Sequence, residues 1–267
     1  MQVVPLEEPV IQWISRDKNG KIWWEGRFDF HSSLIETTGM RTGERIRQLL
    51  SAVIRQKGKP FERGVRIETF LEFPPAWGLG SSSTLVALTA MWSGTDPFEL
   101  LKMTFGGSGY DVAAASMDTP FLYRLEQGVP VVTPVAFYPD YHRHLFFVHL
   151  NRKQNSRDEI DRYRMRHLPD HTAENLEKLT MEILLADDLA YFQELISEHE
   201  QMIAGLLDRP TVQSRLFGDY PGSIKSLGAW GGDFILAAGD RDTPEYFRRR
   251  GYPTVLTFDE MVFHAII

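Results

Sequence analysis

The first part of the chain alternates between apolar and polar residues in a way that predicts several strands and a helix. Two aromatic-rich runs, residues 10–14 and 22–30, are separated by Asn19-Gly20, a dipeptide typical of a tight hairpin turn. Residues 42–57 carry apolar side chains at every third or fourth position, which indicates a helix with one buried face. Residues 65–73 alternate with a period of two and predict another strand. We therefore expect a sheet covered by helix.

The strand predicted at residues 65–73 runs into the stretch Pro74–Thr84, PPAWGLGSSST, which precedes an apolar run at residues 85–92. Glycine has no Cβ, so it lets the backbone bend sharply and approach a ligand closely. The hydroxyl residues fall where a helix begins, and the free N–H groups and dipole of a helix N-terminus attract anions. We interpret Gly78–Ser82 as a phosphate cradle, without the spacing of a Walker loop. A strand-to-helix turn with serine and threonine caps is the alternative.

Two further segments are rich in glycine. Residues 105–116 read FGGSGYDVAAAS, and residues 228–233 read GAWGGD directly before an apolar run that predicts a strand at residues 234–238. The small neighbours of Asp111 suit a carboxylate held in a cleft, where it could accept a proton as a general base. A helix N-cap is the alternative role for Asp111.

The character of the chain changes after about residue 151, where charged and amphipathic helices predominate. Together with the strands of the first part, this pattern predicts an α+β protein in two halves, with domains at residues 1–145 and 146–267. The elements predicted for the second half are a charged helix capped by Ser156, helices at residues 173–186, 188–206 and 243–250, and strands at residues 145–150 and 254–258.

Composition excludes several classes of function. The chain has 267 residues, a net charge of −7 and no cysteine. The absence of cysteine excludes disulfides, thiolate metal sites and cysteine nucleophiles, and fits a cytoplasmic protein. The acidic balance argues against nucleic acid or an anionic membrane as the main partner. No apolar run reaches the length of a membrane span, and the N-terminus does not have the pattern of a signal peptide.

In this order, the three glycine segments resemble the motifs of the GHMP small-molecule kinases. Pro74–Thr84 is similar to the family's Pro-x-x-x-Gly-Leu-Gly-Ser-Ser-Ala phosphate loop, residues 107–115 to the segment with its acidic catalytic residue, and residues 228–233 to its late glycine loop. The resemblance implies an N-terminal half like ribosomal protein S5 domain 2 and a ferredoxin-like C-terminal half. It also implies ATP and Mg²⁺ as cofactors and a small-molecule substrate.

The resemblance assigns roles to individual residues. Asp111 would be the catalytic base, or would orient the substrate if the acceptor is already a phosphate. Ser82 and Glu99 would be the Mg²⁺ ligands, although an exposed glutamate in the first turn of a helix explains Glu99 equally well. The other implied positions are Gly78, Leu79, Gly80, Ser81, Ser82, Ser83, Gly228, Gly231 and Gly232 for the nucleotide, and Ser108, Gly109, Tyr110 and Trp230 for the acceptor.

Two departures from the family pattern bear on activity. The family's N-terminal Pro-Gly-Lys-x-x-Leu-x-Gly-Glu strand has no counterpart before Trp13, and Trp230 stands where the family has a glycine. Within the family, the second motif and Asp233 resemble the phosphomevalonate branch, and the acceptor that the resemblance implies is mevalonate or phosphomevalonate. A sugar or other metabolite kinase is an alternative, and a nucleotide- or metabolite-binding protein without turnover is another, because the missing motif carries a lysine. The sequence does not decide the oligomeric state, and a homodimer is possible.

Overall fold

The computed structural model describes residues 1–58, 63–152, 170–228 and 232–262. These residues form two compact units. The first contains Met1–Pro75 and Leu79–Val135, and the second contains Ala76–Gly78 and the chain from Ala136 onward. The loop that follows the strand predicted at residues 65–73 therefore leaves the first unit after Pro75, belongs to the second unit over Ala76–Gly78 and returns to the first unit at Leu79.

The first unit is built on a five-stranded sheet with the order β1-β5-β2-β3-β4. β2 and β3 pair antiparallel around Asn19-Gly20, as the dipeptide predicts, and Gly20 has the positive φ of +78° that such a turn needs. β2 and β5 are parallel neighbours, so the intervening chain crosses over through a helix. The strands are β1 (Gln2–Leu6), β2 (Ile11–Arg16), β3 (Ile22–Phe28), β4 (Leu34–Thr37) and β5 (Gly64–Phe70).

Four helices and a hairpin complete the first unit among the described residues. The buried face of α1 holds Ile46, Leu49, Leu50 and Val53, which are the positions that its period predicts. These side chains pack with Trp13 and other core residues of the sheet, and burying each large apolar side chain stabilises the fold by about 1.5–3 kcal/mol. The elements are α1 (Met40–Lys57), α2 (Ser81–Ser93), α3 (Pro97–Thr104), α4 (Tyr110–Ser116), β6 (Phe121–Glu126) and β7 (Val129–Pro134).

The second unit contains an antiparallel four-stranded sheet with the order β11-β8-β10-β9. Its strands alternate between two cores: Phe146 and Val148 belong to one cluster, whereas Leu145 and Ala238 belong to another that includes residues of α6. The sheet is therefore covered on both faces. The elements are β8 (Leu145–His149), α5 (Thr172–Leu185), α6 (Leu189–Leu207), α7 (Val212–Leu216), β9 (Ser223–Ser226), β10 (Phe234–Ala238), α8 (Thr243–Arg249), β11 (Val255–Thr257) and α9 (Phe258–Met261).

The mixed α+β class is confirmed, with differences at several ends of elements. β1 is a strand that the pattern did not predict, and β5 ends at Phe70 although the alternation continues to residue 73. The helix predicted after Ser156 lies outside the described residues. Within those residues, no helix is both long and apolar enough to cross a membrane.

A buried ionic network fixes the end of β9. The Glu200 side chain on α6 is only 6% exposed, and Ser226 Oγ donates to the carboxylate at 2.8 Å from each oxygen. Lys225 Nζ lies 3.5 Å from Glu200 Oε1 and 3.1 Å from Nδ1 of His199. Burial, followed by the charge of Lys225, lowers the pKa of His199 to about 4, so this imidazole is neutral at pH 7. The network anchors the strand that leads to Gly228.

Replacing Glu200 is expected to destabilise the second unit. Glu200→Ala leaves Lys225 and Ser226 without their carboxylate, and removing one partner of a buried ion pair costs roughly 3–5 kcal/mol. Urea denaturation followed by circular dichroism measures the loss. Glu198→Ala, which removes an exposed carboxylate from the same helix, is the matched control and should change the free energy of unfolding by less than about 0.5 kcal/mol. Equal effects of the two variants would contradict a structural role for this network.

Candidate functional site

The N-terminus of α2 presents backbone N–H groups that no side chain in the described part of the chain caps. The N-cap residue is Gly80, in the left-handed conformation with φ 71° and ψ 30°, and it makes no side-chain cap. The N–H of Thr84 donates to the Gly80 carbonyl at 3.0 Å, so the preceding amides of Ser81, Ser82 and Ser83 come before the first bond of the helical ladder. Ser81 and Ser82 are exposed. The alternative in which these hydroxyls cap the helix is therefore wrong, and the arrangement suits an anion.

Gly78 and Gly80 are glycines for different physical reasons. A Cβ added to Gly78 would lie 2.3 Å from Cγ of Asp233 and 2.4 Å from its Oδ2, whereas a Cβ added to Gly80 would meet no atom within 4 Å. Both residues have positive φ, of +69° and +71°. The carboxylate of Asp233 thus occupies the space that a side chain at Gly78 would need. The backbone at Gly80 is open on that side, and Leu79 between them is half-buried.

Trp77 anchors the beginning of this loop within the second unit. Its ring lies edge-on to Phe234 at 5.6 Å between centroids and 6.2 Å from the ring of His149. His149 and Phe234 are paired across β8 and β10, and their rings are 5.0 Å apart. His149 is 6% exposed, and its Nε2 has no hydrogen-bond partner among the described residues. Aromatic packing holds this segment, since such pairs contribute about 0.5–1.5 kcal/mol beyond their buried area.

Asp111 stands on an open face of α4. It lies in the first turn of the helix, and the N-cap residue is Gly109, so the N-cap role for Asp111 is wrong. Ala114 and Ala115, three and four residues further along, share its face and are exposed like Asp111 itself. Desolvation by the surrounding protein nevertheless raises the pKa of the Asp111 carboxyl. A carboxylate with free space beside it and a raised pKa is suited to accept a proton.

The predicted acceptor residues of the second motif lie around the start of α4. Gly109 is buried and has φ +90°, and Ser108 Oγ accepts a hydrogen bond from the N–H of Tyr110 at 3.4 Å. Tyr110 is 53% exposed, and desolvation followed by the charge of Asp111 raises its pKa. Tyr123, which no sequence motif singled out, donates its hydroxyl to the Ser108 carbonyl. The two residues are 15 positions apart, so the pattern of apolar and polar residues does not reveal this contact.

The third glycine segment is only partly described. Gly228 is an exposed turn residue with φ +61°, and Gly232 is buried and accepts a hydrogen bond from Nε of Arg152 at 3.2 Å. Trp230 and Gly231 lie outside the described residues. The nucleotide and acceptor roles of this segment stay predictions.

The two predicted Mg²⁺ ligands are both oxygen donors at exposed positions. Glu99 lies in the first turn of α3, where Asp96 caps the helix, and its carboxylate is 3.6 Å from Nζ of Lys102. Ser82 lies in the first turn of α2. No group of three or more histidine, aspartate and glutamate side chains that could hold a metal occurs among the described residues. Magnesium needs few protein ligands when phosphate oxygens complete its shell, so both roles stay predictions.

The second unit has a depression of about 360 Å³, and none of the residues that line it belongs to a glycine segment. Its charged groups pair with one another, because Arg250 binds Asp219 and Arg249 Nε lies 2.7 Å from Glu245 Oε1. The residues that line it are Asp219, Asp242, Glu245, Tyr246, Arg249 and Arg250.

The different environments of the two loop glycines lead to a stability test. Gly78→Ala places a methyl group inside the Asp233 carboxylate, whereas Gly80→Ala meets open space and bears only the cost of a left-handed alanine, about 1–2 kcal/mol. We expect Gly78→Ala to lower the free energy of unfolding by clearly more than Gly80→Ala, as measured by chemical denaturation.

The double variant Gly78→Ala, Asp233→Ala provides the control, because it removes the group with which the methyl collides. The double variant should have a lower free energy of unfolding than Asp233→Ala alone. This difference should be no larger than the loss that Gly80→Ala causes in the natural chain. Simple additivity of the Gly78 and Asp233 substitutions would show that the two groups do not meet.

Comparisons with known proteins support the fold. No protein-family model and no curated protein sequence matches the chain. The structure is similar to Methanococcus jannaschii mevalonate kinase, with a TM-score of 0.65 and 11% identity over 93% of this chain and 83% of that one. It is also similar to Lactococcus lactis galactokinase complexed with galactose, with a TM-score of 0.59 and 14% identity over 96% of this chain and 83% of that one.

A third solved structure is described as MDDEF in complex with MVAPP, AMPPCP and magnesium. It aligns with a TM-score of 0.55 and 12% identity over 88% of this chain and 84% of that one. At these identities the likeness concerns the fold. The chain therefore has the α+β fold that these solved mevalonate kinase and galactokinase structures share.

Proposed function

We propose that the chain is an ATP-dependent kinase that transfers a phosphoryl group to a small hydroxylated acceptor. The observation that carries the proposal is Asp111, an accessible carboxylate with a raised pKa on the alanine face of α4. Its helix packs against α2, whose N-terminus presents uncapped amides. A proton acceptor and an anion-binding helix end within one unit are two of the parts that phosphoryl transfer needs.

The residues of the first unit fit a nucleotide phosphate. The amides of Ser81, Ser82 and Ser83 can donate to phosphate oxygens, and the open side of Gly80 lets phosphate approach the backbone. The hydroxyl of Ser82 and the carboxylate of Glu99 are the donor types that Mg²⁺ prefers. When bound, Mg·ATP supplies the transferable group and neutralises charge on its oxygens. A solved structure of the same fold contains AMPPCP and magnesium.

The step assigned to Asp111 is proton transfer. As the acceptor oxygen bonds to phosphorus and the bond to the leaving ADP oxygen breaks, the hydroxyl proton passes to the carboxylate. The products are the phosphorylated acceptor and ADP, and the proton then leaves Asp111 for solvent. If the accepting group is already a phosphate, little proton abstraction is needed, and Asp111 would then orient the acceptor.

We assign the acceptor to the class of small hydroxy acids, with mevalonate or phosphomevalonate as the first candidates. The basis is the second motif together with the mevalonate kinase among the structural neighbours. A sugar acceptor is the alternative, because a galactokinase with bound galactose shares the fold.

A nucleotide- or metabolite-binding protein without turnover is the second candidate function. The observation in its favour is the position of Lys21, which follows Asn19-Gly20 at the tip of the β2–β3 hairpin and is exposed. This lysine belongs to a turn instead of the motif strand that carries a lysine in the resembled family. A cation beside the transferred phosphate typically contributes several kcal/mol to phosphoryl transfer.

Asp111→Asn tests the proposal directly. With mevalonate, phosphomevalonate and galactose as acceptors in a coupled ADP-release assay, we expect turnover of at least one by the natural chain. Turnover of a hydroxyl acceptor should fall by about 10²–10⁴-fold in the variant, because the base is lost. Nucleotide affinity, measured by calorimetry, should change by less than about threefold. Asp118→Asn, which alters an exposed carboxylate just after α4, is the matched control and should keep full turnover.

Nucleotide binding without ADP release for any acceptor would support the binding-only function. Full turnover by Asp111→Asn on a hydroxyl acceptor would contradict the role of Asp111 as a base.

The raised pKa of Asp111 predicts the shape of the pH profile. A general base must be deprotonated, so turnover is lost as the pH falls through the pKa of Asp111, and this acid limb should lie above the range of an ordinary aspartate. The raised pKa also means that folding favours the protonated form. The stabilising contribution of Asp111 is therefore present at low pH and is lost as the pH rises through its pKa. At neutral pH, Asp111→Asn should not lower the melting temperature measured by calorimetry.

A further inference from the structure

The hairpin of β6 and β7 forms a two-stranded sheet of its own in the first unit. Its tip is open to solvent, with Leu125 48% and Val129 63% exposed. Near its base, Phe121 and Tyr123 alternate onto one face of β6. The two rings lie 6.0 Å and 5.7 Å from the ring of Tyr110, the latter edge-on. The base of the hairpin is therefore packed against the first residue of α4.

The hydroxyl of Tyr123 reaches past this ring contact to the turn before α4. It donates a hydrogen bond to the carbonyl of Ser108. It also covers Gly109, because a Cβ at that position would lie 3.0 Å from the Tyr123 hydroxyl and 3.0 Å from Cδ1 of Phe98. Tyr123 thus holds the turn at two adjacent residues.

The turn itself has little intrinsic rigidity. Gly106, Gly107 and Gly109 have φ values of +65°, +112° and +90°, and glycine populates many alternative conformations. α4 has seven residues and no side-chain cap at its start, so it contributes little stability of its own. The direction of its first turn, which contains Asp111, then depends on what fixes the glycines.

We propose that Tyr123 is a positioning residue for Asp111: its hydroxyl fixes the Ser108–Gly109 turn and thereby the direction in which Asp111 meets the acceptor. The inference rests on the proposed function, in which Asp111 is the base. A misplacement of about 1 Å at a reacting group can reduce the rate by about 10²-fold, so a single tether can matter for turnover without contacting substrate.

The environment of Asp111 offers a readout that does not depend on turnover. Desolvation raises the pKa of this carboxyl. Tyr110 on α4 and Tyr123 on β6 are tyrosines whose pKa values burial raises. α2 has no charged residue, and α3 carries Glu99 and Lys102 as an ion pair. A turn that loosens should remove part of the desolvation that the surrounding protein imposes on the Asp111 carboxyl, and should thereby lower its pKa.

The experiment compares Tyr123→Phe with the natural chain and with Tyr246→Phe. Tyr246 also donates its hydroxyl to a side chain, Asp219 at 2.9 Å. Tyr246→Phe is therefore a matched loss of one phenol hydrogen bond, in the unit that does not contain Asp111. Carboxyl ¹³C NMR of aspartate-labelled protein, with Asp111→Asn to identify the resonance, follows the titration of Asp111. In a kinase assay, kcat and the KM for ATP are measured in parallel.

For Tyr123→Phe we expect the pKa of Asp111 to move toward that of an ordinary aspartate. We also expect kcat to fall about tenfold or more while the KM for ATP stays within about twofold. Tyr246→Phe should change none of these quantities. An unchanged Asp111 titration in Tyr123→Phe would overturn the inference, whatever the stability of the variant. If no acceptor is turned over by the natural chain, the titration still decides this inference while the proposed function fails separately.

Discussion

The candidate phosphate loop depends on one steric constraint: the carboxylate of Asp233 occupies the space that a Cβ at Gly78 would need. Trp77, packed on His149 and Phe234, brings the chain to that point, and only glycine can occupy the next position. From there the loop continues to Gly80 and the uncapped start of α2. The third glycine segment thus ends in a residue that shapes the first, so two motifs that are distant in sequence act on one loop.

Much of the fold could be predicted from the sequence because local rules and tertiary packing agree there. Asn19-Gly20 forms its hairpin, the apolar stripe of α1 is buried, and the α+β class is confirmed. β1 escaped prediction because it is a short edge strand whose side chains are mostly exposed, so its hydrophobic pattern is weak. The end of β5 was placed too late because alternation alone does not show where pairing stops.

The candidate site, like the fold, could be predicted only in part from the sequence. The glycine motifs located the start of α2 and the turn before α4, because positive φ and free amides follow from residue type. The sequence could not supply the reason for Gly78, which is a carboxylate from far along the chain, nor the tether from Tyr123 to Ser108. The sequence motifs also do not include His149, which packs against the ring of Trp77 and whose buried Nε2 has no hydrogen-bond partner among the described residues. Such an atom costs about 1–3 kcal/mol, which indicates that packing around the loop outweighs it.

The central claim is that the start of α2 binds the phosphates of a nucleotide. The most direct measurement is an amide ¹⁵N–¹H NMR titration with Mg·AMPPCP, in which each backbone N–H reports on its own surroundings. If the claim is correct, the amides of Ser81, Ser82 and Ser83 shift saturably and are among the most strongly perturbed in the spectrum. Saturable binding that leaves these three amides unperturbed, or no binding at millimolar nucleotide, would contradict it.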